Sequence, residues 1–491
     1  MQVRYQLRHR PSAALGATRS LYNIRKGEVT SAGVCSSLVQ ATRPRPGLSH
    51  LWERQHPARR IFTGFVILNL VGWALLMLPM SKQGPGGSSW IEALFTAVSA
   101  ACVTGLTVVD TATHWTPFGQ VVILLLIQLG GLGVMVFASL IGIAVVKRLS
   151  LGSRLTTAQE AHTTLGGIRS IVVSILRIAL VVEGAVALIL WLRFWIGRGE
   201  DPLHALWLGV FHAVSSYNNA GFALFSDNLM GFVDDPWILL PLAGATIVGG
   251  LGFPVIVQLL KHGPHPRRFS MHTWLVLVGT GTLLVVGTLA IVLLEWDNPG
   301  SLGSLSPGTR ILESFFHSVQ TRTAGFNALD IGQFEPETLL VMDVLMFIGG
   351  GPAGTAGGIK ITTFGVLAAI LIAEVRGDPT VTLFGKRLSR AVHREAITVV
   401  LLAVGLCFAA TLAIMQLTEI DHDRVLFEVI SAFGTVGLST GITASVGTPS
   451  QLILIVLMFI GRVGPITVAT TLALRPRRLV YELPKERPVI G

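Results

Sequence analysis

Four stretches of sequence decide how this chain folds: Phe95–Gly105 reads FTAVSAACVTG, Phe211–Gly221 FHAVSSYNNAG, Phe315–Gly325 FFHSVQTRTAG and Phe427–Gly437 FEVISAFGTVG. In each, a phenylalanine stands ten residues before a glycine, and an apolar residue follows the glycine: Leu106, Phe222, Phe326 or Leu438. Ser99, Ser215 and Ser431 fall four residues after the phenylalanine in three of them. The glycines are 116, 104 and 112 residues apart, so one unit of about 110 residues recurs four times.

A second mark recurs behind each glycine. Gly130-Gly131-Leu132-Gly133 begins 25 residues after Gly105, and Gly249-Gly250-Leu251-Gly252 begins 28 after Gly221. Gly349-Gly350-Gly351 and Gly461-Arg462-Val463-Gly464 each begin 24 residues after their own glycine, Gly325 and Gly437. Chance similarity among apolar segments does not preserve both intervals.

Between these marks run long apolar segments, 61–80 and near 117–146, 171–196, 236–260, 273–295, 338–372, 395–418 and 451–474. Each reaches or exceeds the roughly 20 residues a spanning helix needs. The short segments, such as WIEALFTAVSAACV, can only dip into a bilayer as re-entrant helices. The expected fold is an all-α integral membrane protein of four pseudo-fourfold units, each a helix, a re-entrant pore helix with its loop, and a second helix, giving eight spanning helices. The expected boundaries are a basic arm at 1–59, units at 60–148, 149–262, 263–376 and 377–475, and a tail at 476–491.

Composition agrees. Of 491 residues, 51% are apolar and 13% charged, about half the charge of an average soluble domain, which excludes a soluble enzyme. Nearly all of the net charge of +10 resides in the first 60 residues, where 11 basic groups oppose only Glu28 and Glu53. The rest is balanced, so nucleic acid is not an expected partner. The arm reads as disordered, as an over-long start or as a transit peptide. Cys35, Cys102 and Cys407 lie too far apart for ligand spacing. Lys147, Arg148, Arg154, Arg169, Lys261, Arg267, Arg268, Arg376, Lys386, Arg387 and Arg390 fall in alternate loops, which places those loops and both termini in the cytoplasm of a cell inner or plasma membrane. The opposite loops hold Asp110, Asp227, Asp234, Asp235, Asp330 and Glu335, either a cation-concentrating mouth or ordinary solvated residues.

Non-helical backbone at membrane depth is tolerated where its carbonyls face protein or a water-lined cavity. Four such loops around one axis would replace the water shell of a monovalent cation, with glycine supplying torsions that side chains resist. Pore helices aimed by their C-terminal ends would add a negative dipole. No HExxH motif is present, which argues against a zinc-dependent intramembrane enzyme.

CVTGL at 102–106, NNAGF at 218–222, TRTAGF at 321–326 and GTVGL at 434–438 resemble the four pore loops of the Trk/Ktr/HKT potassium transporter superfamily. MFIGGGPAGTAGGIK (346–360), MFIGRVGP (458–465) and the closing YELPKERPVIG resemble the Ktr branch, as does the absence of extra spans within residues 1–60. The resemblance implies a K+ filter of backbone carbonyls at Val103, Thr104 and Gly105, Asn219, Ala220 and Gly221, Thr323, Ala324 and Gly325, and Thr435, Val436 and Gly437. Glycine at the first position goes with K+, and serine there with Na+. The residues two before the glycines are Val, Asn, Thr and Thr, so the ring is asymmetric in side chains.

The resemblance also implies an intramembrane gate built of Gly349, Gly350, Gly351, Gly354, Thr355, Gly357, Gly358 and Lys360. A passive helix kink is the plainer alternative. Arg462 belongs either to that gate, as an electrostatic barrier, or to an ion pair with a carboxylate, because a charge at helix centre costs roughly 2.5 to 3.5 kcal/mol. Arg177, Glu183 and Arg193 read as inter-unit pairs or interfacial snorkellers, and His212 and His317 as structural. The implied assembly is a homodimer in membrane lipid on a cytosolic ring of nucleotide-binding KtrA-like subunits. Nucleotide would act only on that partner, and sodium is a candidate activator. The potassium-binding subunit of a P-type pump and a transporter of another monovalent cation such as Na+ are the alternatives.

Overall fold

The computed structural model describes residues 57–147, 166–263 and 265–464. The N-terminal arm, most of the loop after the first unit and the C-terminal tail with YELPKERPVIG lie outside the described residues.

The helices follow the order long, short, long. They are α1 (Pro57–Leu76), α2 (Trp90–Ala101), α3 (Pro117–Lys147), α4 (Gly166–Leu192), α5 (Pro202–Tyr217), α6 (Pro236–Leu251), α7 (Phe253–His262), α8 (Met271–Glu295), α9 (Pro307–Gln320), α10 (Pro336–Phe347), α11 (Ile361–Arg376), α12 (Arg390–Leu417), α13 (His422–Gly434) and α14 (Thr448–Val463). Many starts are written in the sequence. Ser89 and Glu92 form a capping box at α2, Asp201 caps α5 ahead of Pro202, and Ser306 caps α9 ahead of Pro307. A small antiparallel hairpin, β1 (Thr382–Leu383) with β2 (Lys386–Arg387), joins α11 to α12.

Among the described residues, three helices are long and apolar enough to cross a membrane, over Ser170–Gly197, Met271–Glu295 and Arg390–Leu417. Their outward faces expose Leu180, Val181, Leu293, Leu401 and Phe408, side chains that lipid would solvate. Of the other expected spans, 117–146 is one unbroken helix, α3, whereas 236–260 and 338–372 are interrupted, and the breaks have identifiable causes. The 236–260 run bends by 98° between α6 and α7 at Gly252, whose φ is 90°, just before Pro254. The 338–372 run is open between Phe347 and Ile361, where the glycine-rich stretch supplies little helix propensity. Within the described residues, the last run ends as helix at Val463, followed by Gly464 at φ 93°.

Burial locates the centre of the molecule on the short helices. Phe95, Phe211, Phe316 and Phe427 are at most 1% exposed. In lipid such contacts gain little from the hydrophobic effect, so close packing and internal hydrogen bonds hold the helices together. The third short helix corrects the sequence register: Phe316, not Phe315, takes the buried place. Gln320, four residues further on, then stands where the other units have serine, and one residue is missing between it and Gly325.

Candidate functional site

The short helices α2, α5, α9 and α13 each run into a loop with the same backbone signature. The residue two before the glycine is left-handed, Val103 at φ 56°, Asn219 at 61°, Thr323 at 72° and Thr435 at 51°. The glycines follow at 95°, 67°, 78° and 95°. Such torsions are outliers for Val and Thr, and they persist only where the surroundings impose them. The imposing bonds are visible. Thr104, Ala220 and Val436 donate their N–H groups to the carbonyls of Ser99, Ser215 and Ser431 at 2.7–2.8 Å, and Ala324 donates to Gln320 at 3.0 Å. The Ser99 hydroxyl also donates to the Leu106 carbonyl at 2.7 Å and accepts from the Gly105 N–H at 3.1 Å. Ser431 accepts from Gly437, and the Gln320 side-chain oxygen accepts from Phe326.

The four loops close into a ring. A β-carbon at Gly105 would fall on the Ala220 carbonyl oxygen, one at Gly221 on that of Ala324, one at Gly325 on that of Val436, and one at Gly437 on that of Thr104. This cyclic order requires four loops around one centre, and the oxygen involved always belongs to the residue before the next glycine. The hydroxyls of Thr104, Thr323 and Thr435 are buried beside it with no hydrogen-bond partner among the described residues.

The two sides of the ring differ. Residues following the glycines line a cavity of about 300 Å³, which also takes in Asp110, Asp227 and Asp330. Asp110 accepts from Ser226 at 2.5 Å and from Thr113 and the Ala112 N–H. Partial burial works to raise its pKa, but those bonds prevail and hold the carboxyl below its usual range. Asp235 does not share the cavity, since Arg193 and Arg198 engage it at 2.9 and 3.1 Å. His212 bonds the Leu208 carbonyl of its own helix through Nδ1 and accepts from the Leu224 N–H of the following loop at Nε2, and His317 is held within its own helix on the Glu313 carbonyl.

On the opposite side, residues preceding the glycines meet the segment between α10 and α11. Gly351 and Thr355 donate their N–H groups to the Gly250 and Gly249 carbonyls at 2.7 and 3.1 Å, and Gly349 and Gly350 bond to Ile359 and Ile361. Gly354 packs on the Gly249 and Gly250 carbonyls, Gly358 turns at φ 59° against Gly434, and a β-carbon at Gly357 would fall on the Thr435 hydroxyl. Two buried arginines and a half-buried lysine hold this segment by its carbonyls. Lys360 donates to Ala356 at 2.6 Å and Gly357 at 3.3 Å, Arg322 to Gly349 at 3.3 Å, and Arg462 to Thr355. Arg462 also donates to Gly130 at 3.0 Å, and no carboxylate pairs with it among the described residues. The ion-pair alternative therefore has no support in the structure.

The recurrent double glycine is explained at the same site. Gly130, Gly249 and Gly461 lie against the carbonyls of Ala101, Tyr217 and Phe433, each four residues before its ring glycine, with no space for a β-carbon. The long helices can thereby reach the ends of the short ones.

The profile of the family described as TrkH, cation transport protein, matches residues 46–479. The chain belongs to this family. Among curated TrkH relatives, it is 41% identical to the Ktr system potassium uptake protein B of Bacillus subtilis over 86% of this chain and 94% of that one. It is 39% identical to the protein of the same name from Vibrio alginolyticus, over 88% and 94%, and 34% identical to the potassium/sodium uptake protein NtpJ of Enterococcus hirae, over 89% and 98%. Its fold is similar to the crystal structure of the potassium transporter TrkH from Vibrio parahaemolyticus, with a TM-score of 0.69 at 19% identity over 87% and 86% of the two chains. The chain is thus a mostly helical membrane transporter of cations, not an enzyme.

Two features of this TrkH-family site escape sequence reasoning. Glu183 makes an inter-unit contact, one of the two places expected for it, but the second loop it serves there is not foreseen. Its carboxylate accepts from Gln128 at 3.1 Å and Asn218 at 3.2 Å, and Asn218 also donates to Gln128 at 2.7 Å. Arg322, inside TRTAGF, reaches back to the segment. Glutamate at mid-helix is itself the signal for the first; for the second, a cation in an otherwise neutral loop is the only one.

Proposed function

We propose that this chain is the ion-conducting membrane subunit of a Ktr-type potassium uptake system, passing K+ inward down its electrochemical gradient through a backbone-carbonyl filter. The observation that carries this reading is the cyclic closure of Gly105, Gly221, Gly325 and Gly437, each against the carbonyl of the next loop. The four short helices end at that ring, so the negative ends of their dipoles favour a cation there. Carbonyls fixed by the hydrogen bonds behind them can replace hydration water, and glycine at the first position supports K+ over Na+. The names of the Ktr relatives point the same way.

In this reading the residues of the filter are 103–105, 219–221, 323–325 and 435–437. The segment 349–358, with Lys360 and Arg462, is the gate beneath it. Eight stretches span, namely α1, α3, α4, α6 with α7, α8, α10 with α11, α12, and α14, while α2, α5, α9 and α13 re-enter, in units at 60–148, 149–262, 263–376 and 377–475. The positive loops face the cytoplasm of a plasma or inner membrane, with both termini inside. The working assembly is a homodimer on a cytosolic nucleotide-binding ring, and sodium, named with potassium for the NtpJ relative, is a candidate activator.

Growth of an uptake-deficient host on limiting K+ tests the proposal. The chain should restore growth, and Gly105→Ser should reduce that rescue and admit Na+. Rescue indifferent to the substitution contradicts the filter assignment.

A further inference from the structure

The four residues two before the ring glycines share one torsion but not one environment. Val103 has no polar side chain, and the Thr323 and Thr435 hydroxyls have no partner among the described residues. Asn219 is bonded on both sides. Its side-chain oxygen accepts from the Thr355 hydroxyl at 2.8 Å, nearer than that hydroxyl's other acceptor, the Tyr217 carbonyl of the same loop's helix at 3.2 Å, and its amide donates to the Arg322 carbonyl at 3.4 Å. The Arg322 guanidinium then donates to the Gly349 carbonyl at 3.3 Å. A closed path therefore runs from one end of the 349–358 segment through the second loop and the third loop to the other end. The left-handed torsion does not account for the asparagine, because valine and threonine adopt it in the other loops.

We propose that the Asn219 side chain is a positioning residue that couples the 349–358 segment to the ring, so that displacement of the segment alters ion discrimination as well as flux. The proposal rests on the filter and gate reading above and goes beyond it. With the segment seated, Thr355 holds the Asn219 oxygen, and the amide bears on the third loop next to Thr323. Withdrawal of the segment removes that donor. The buried amide then turns to a new partner, because an unpartnered polar group in such a place costs about 1 to 3 kcal/mol, and the carbonyls of loops 2 and 3 shift with it. Loops 1 and 4 have no such side-chain tie to the segment among the described residues, so the response is confined to one half of the ring.

The test uses the full chain in proteoliposomes, with 86Rb+ and 22Na+ uptake as the readout and monodisperse elution as the check on folding. Thr355→Val, which keeps shape and removes the hydroxyl, should lower Rb+ over Na+ discrimination by up to about tenfold, the effect expected of one buried hydrogen bond. Thr355→Ser should behave as the unsubstituted chain. Lys360→Met, which frees the Ala356 and Gly357 carbonyls without touching this path, should change discrimination in the unsubstituted background but add nothing in the Thr355→Val background. Discrimination unchanged by Thr355→Val, or changed equally by Lys360→Met in both backgrounds, overturns the coupling. An unsubstituted chain that fails to favour Rb+ over Na+ instead overturns the filter reading on which the coupling rests.

Discussion

Arg462 donates to the carbonyl of Thr355, 107 residues away in the chain, and so fastens the end of α14 to the segment that lies across the ring. With its second bond, to Gly130, it also joins the first unit to the fourth. The guanidinium is 5% exposed and has backbone oxygens for partners rather than a carboxylate. It therefore brings a net positive charge beside a path proposed for cations.

Replacing Arg462 by alanine removes both bonds and that charge. A hydrogen bond from a charged group is worth about 1.5 to 3 kcal/mol, enough to move a closed gate's equilibrium by roughly ten- to a hundredfold. K+ flux per folded protein in liposomes should rise, and Arg462→Lys should give an intermediate value. A folded Arg462→Ala protein with unchanged or lower flux contradicts the gating role.

Gly461→Ala and Gly133→Ala are similar changes on paper with opposite expectations. The first sets a methyl group on the Phe433 carbonyl, and the second finds nothing within 4 Å. Gly461→Ala should lose about 1 to 3 kcal/mol of stability from overpacking. Gly133→Ala should be neutral or gain up to about 1 kcal/mol from helix propensity. Thermal unfolding in detergent separates the two.

Much of this is legible in the sequence, and the losses are physical. The Phe-to-Gly interval finds all four loops because helix length and loop torsions fix it, yet it misplaces the third phenylalanine, where two adjacent Phe residues hide a one-residue deletion. Hydropathy counts apolar runs but does not register that Gly252 bends one and that the glycine-rich stretch opens another. Glu183 and Arg322 show in the sequence only as charges in apolar surroundings; their partners, Gln128, Asn218 and Gly349, are distant in sequence and neutral, so no pattern pairs them. The double glycines are conspicuous, but their reason, the carbonyls of Ala101, Tyr217 and Phe433, appears only in three dimensions.

Ser99→Ala deletes the hydroxyl that joins the Gly105 N–H to the Leu106 carbonyl. The loss should be about 1 to 3 kcal/mol, since both groups are left buried and unpaired. A lower unfolding temperature together with weakened Rb+ over Na+ discrimination is the expected pair of results, and Ser99→Thr should restore part of both.

Asp110 provides a test by pH. Its hydrogen bonds lower the folded-state pKa beneath the ordinary 3.8, so its stabilising contribution is complete above that value and disappears as pH falls through the lower folded one. Between about pH 5 and 8 the carboxylate stays charged, and uptake should show no step from this group. Asp110→Asn should raise the K+ concentration for half-maximal uptake about two- to fivefold at low ionic strength, with less effect in high salt.

The central claim, that main-chain oxygens of four loops hold the permeating ion, is tested most directly by anomalous diffraction from crystals of this protein grown in Rb+. The account predicts a peak on the ring axis among the carbonyls of Thr104, Ala220, Ala324 and Val436. Density confined to the aspartate-lined cavity, with none on that axis, would contradict it.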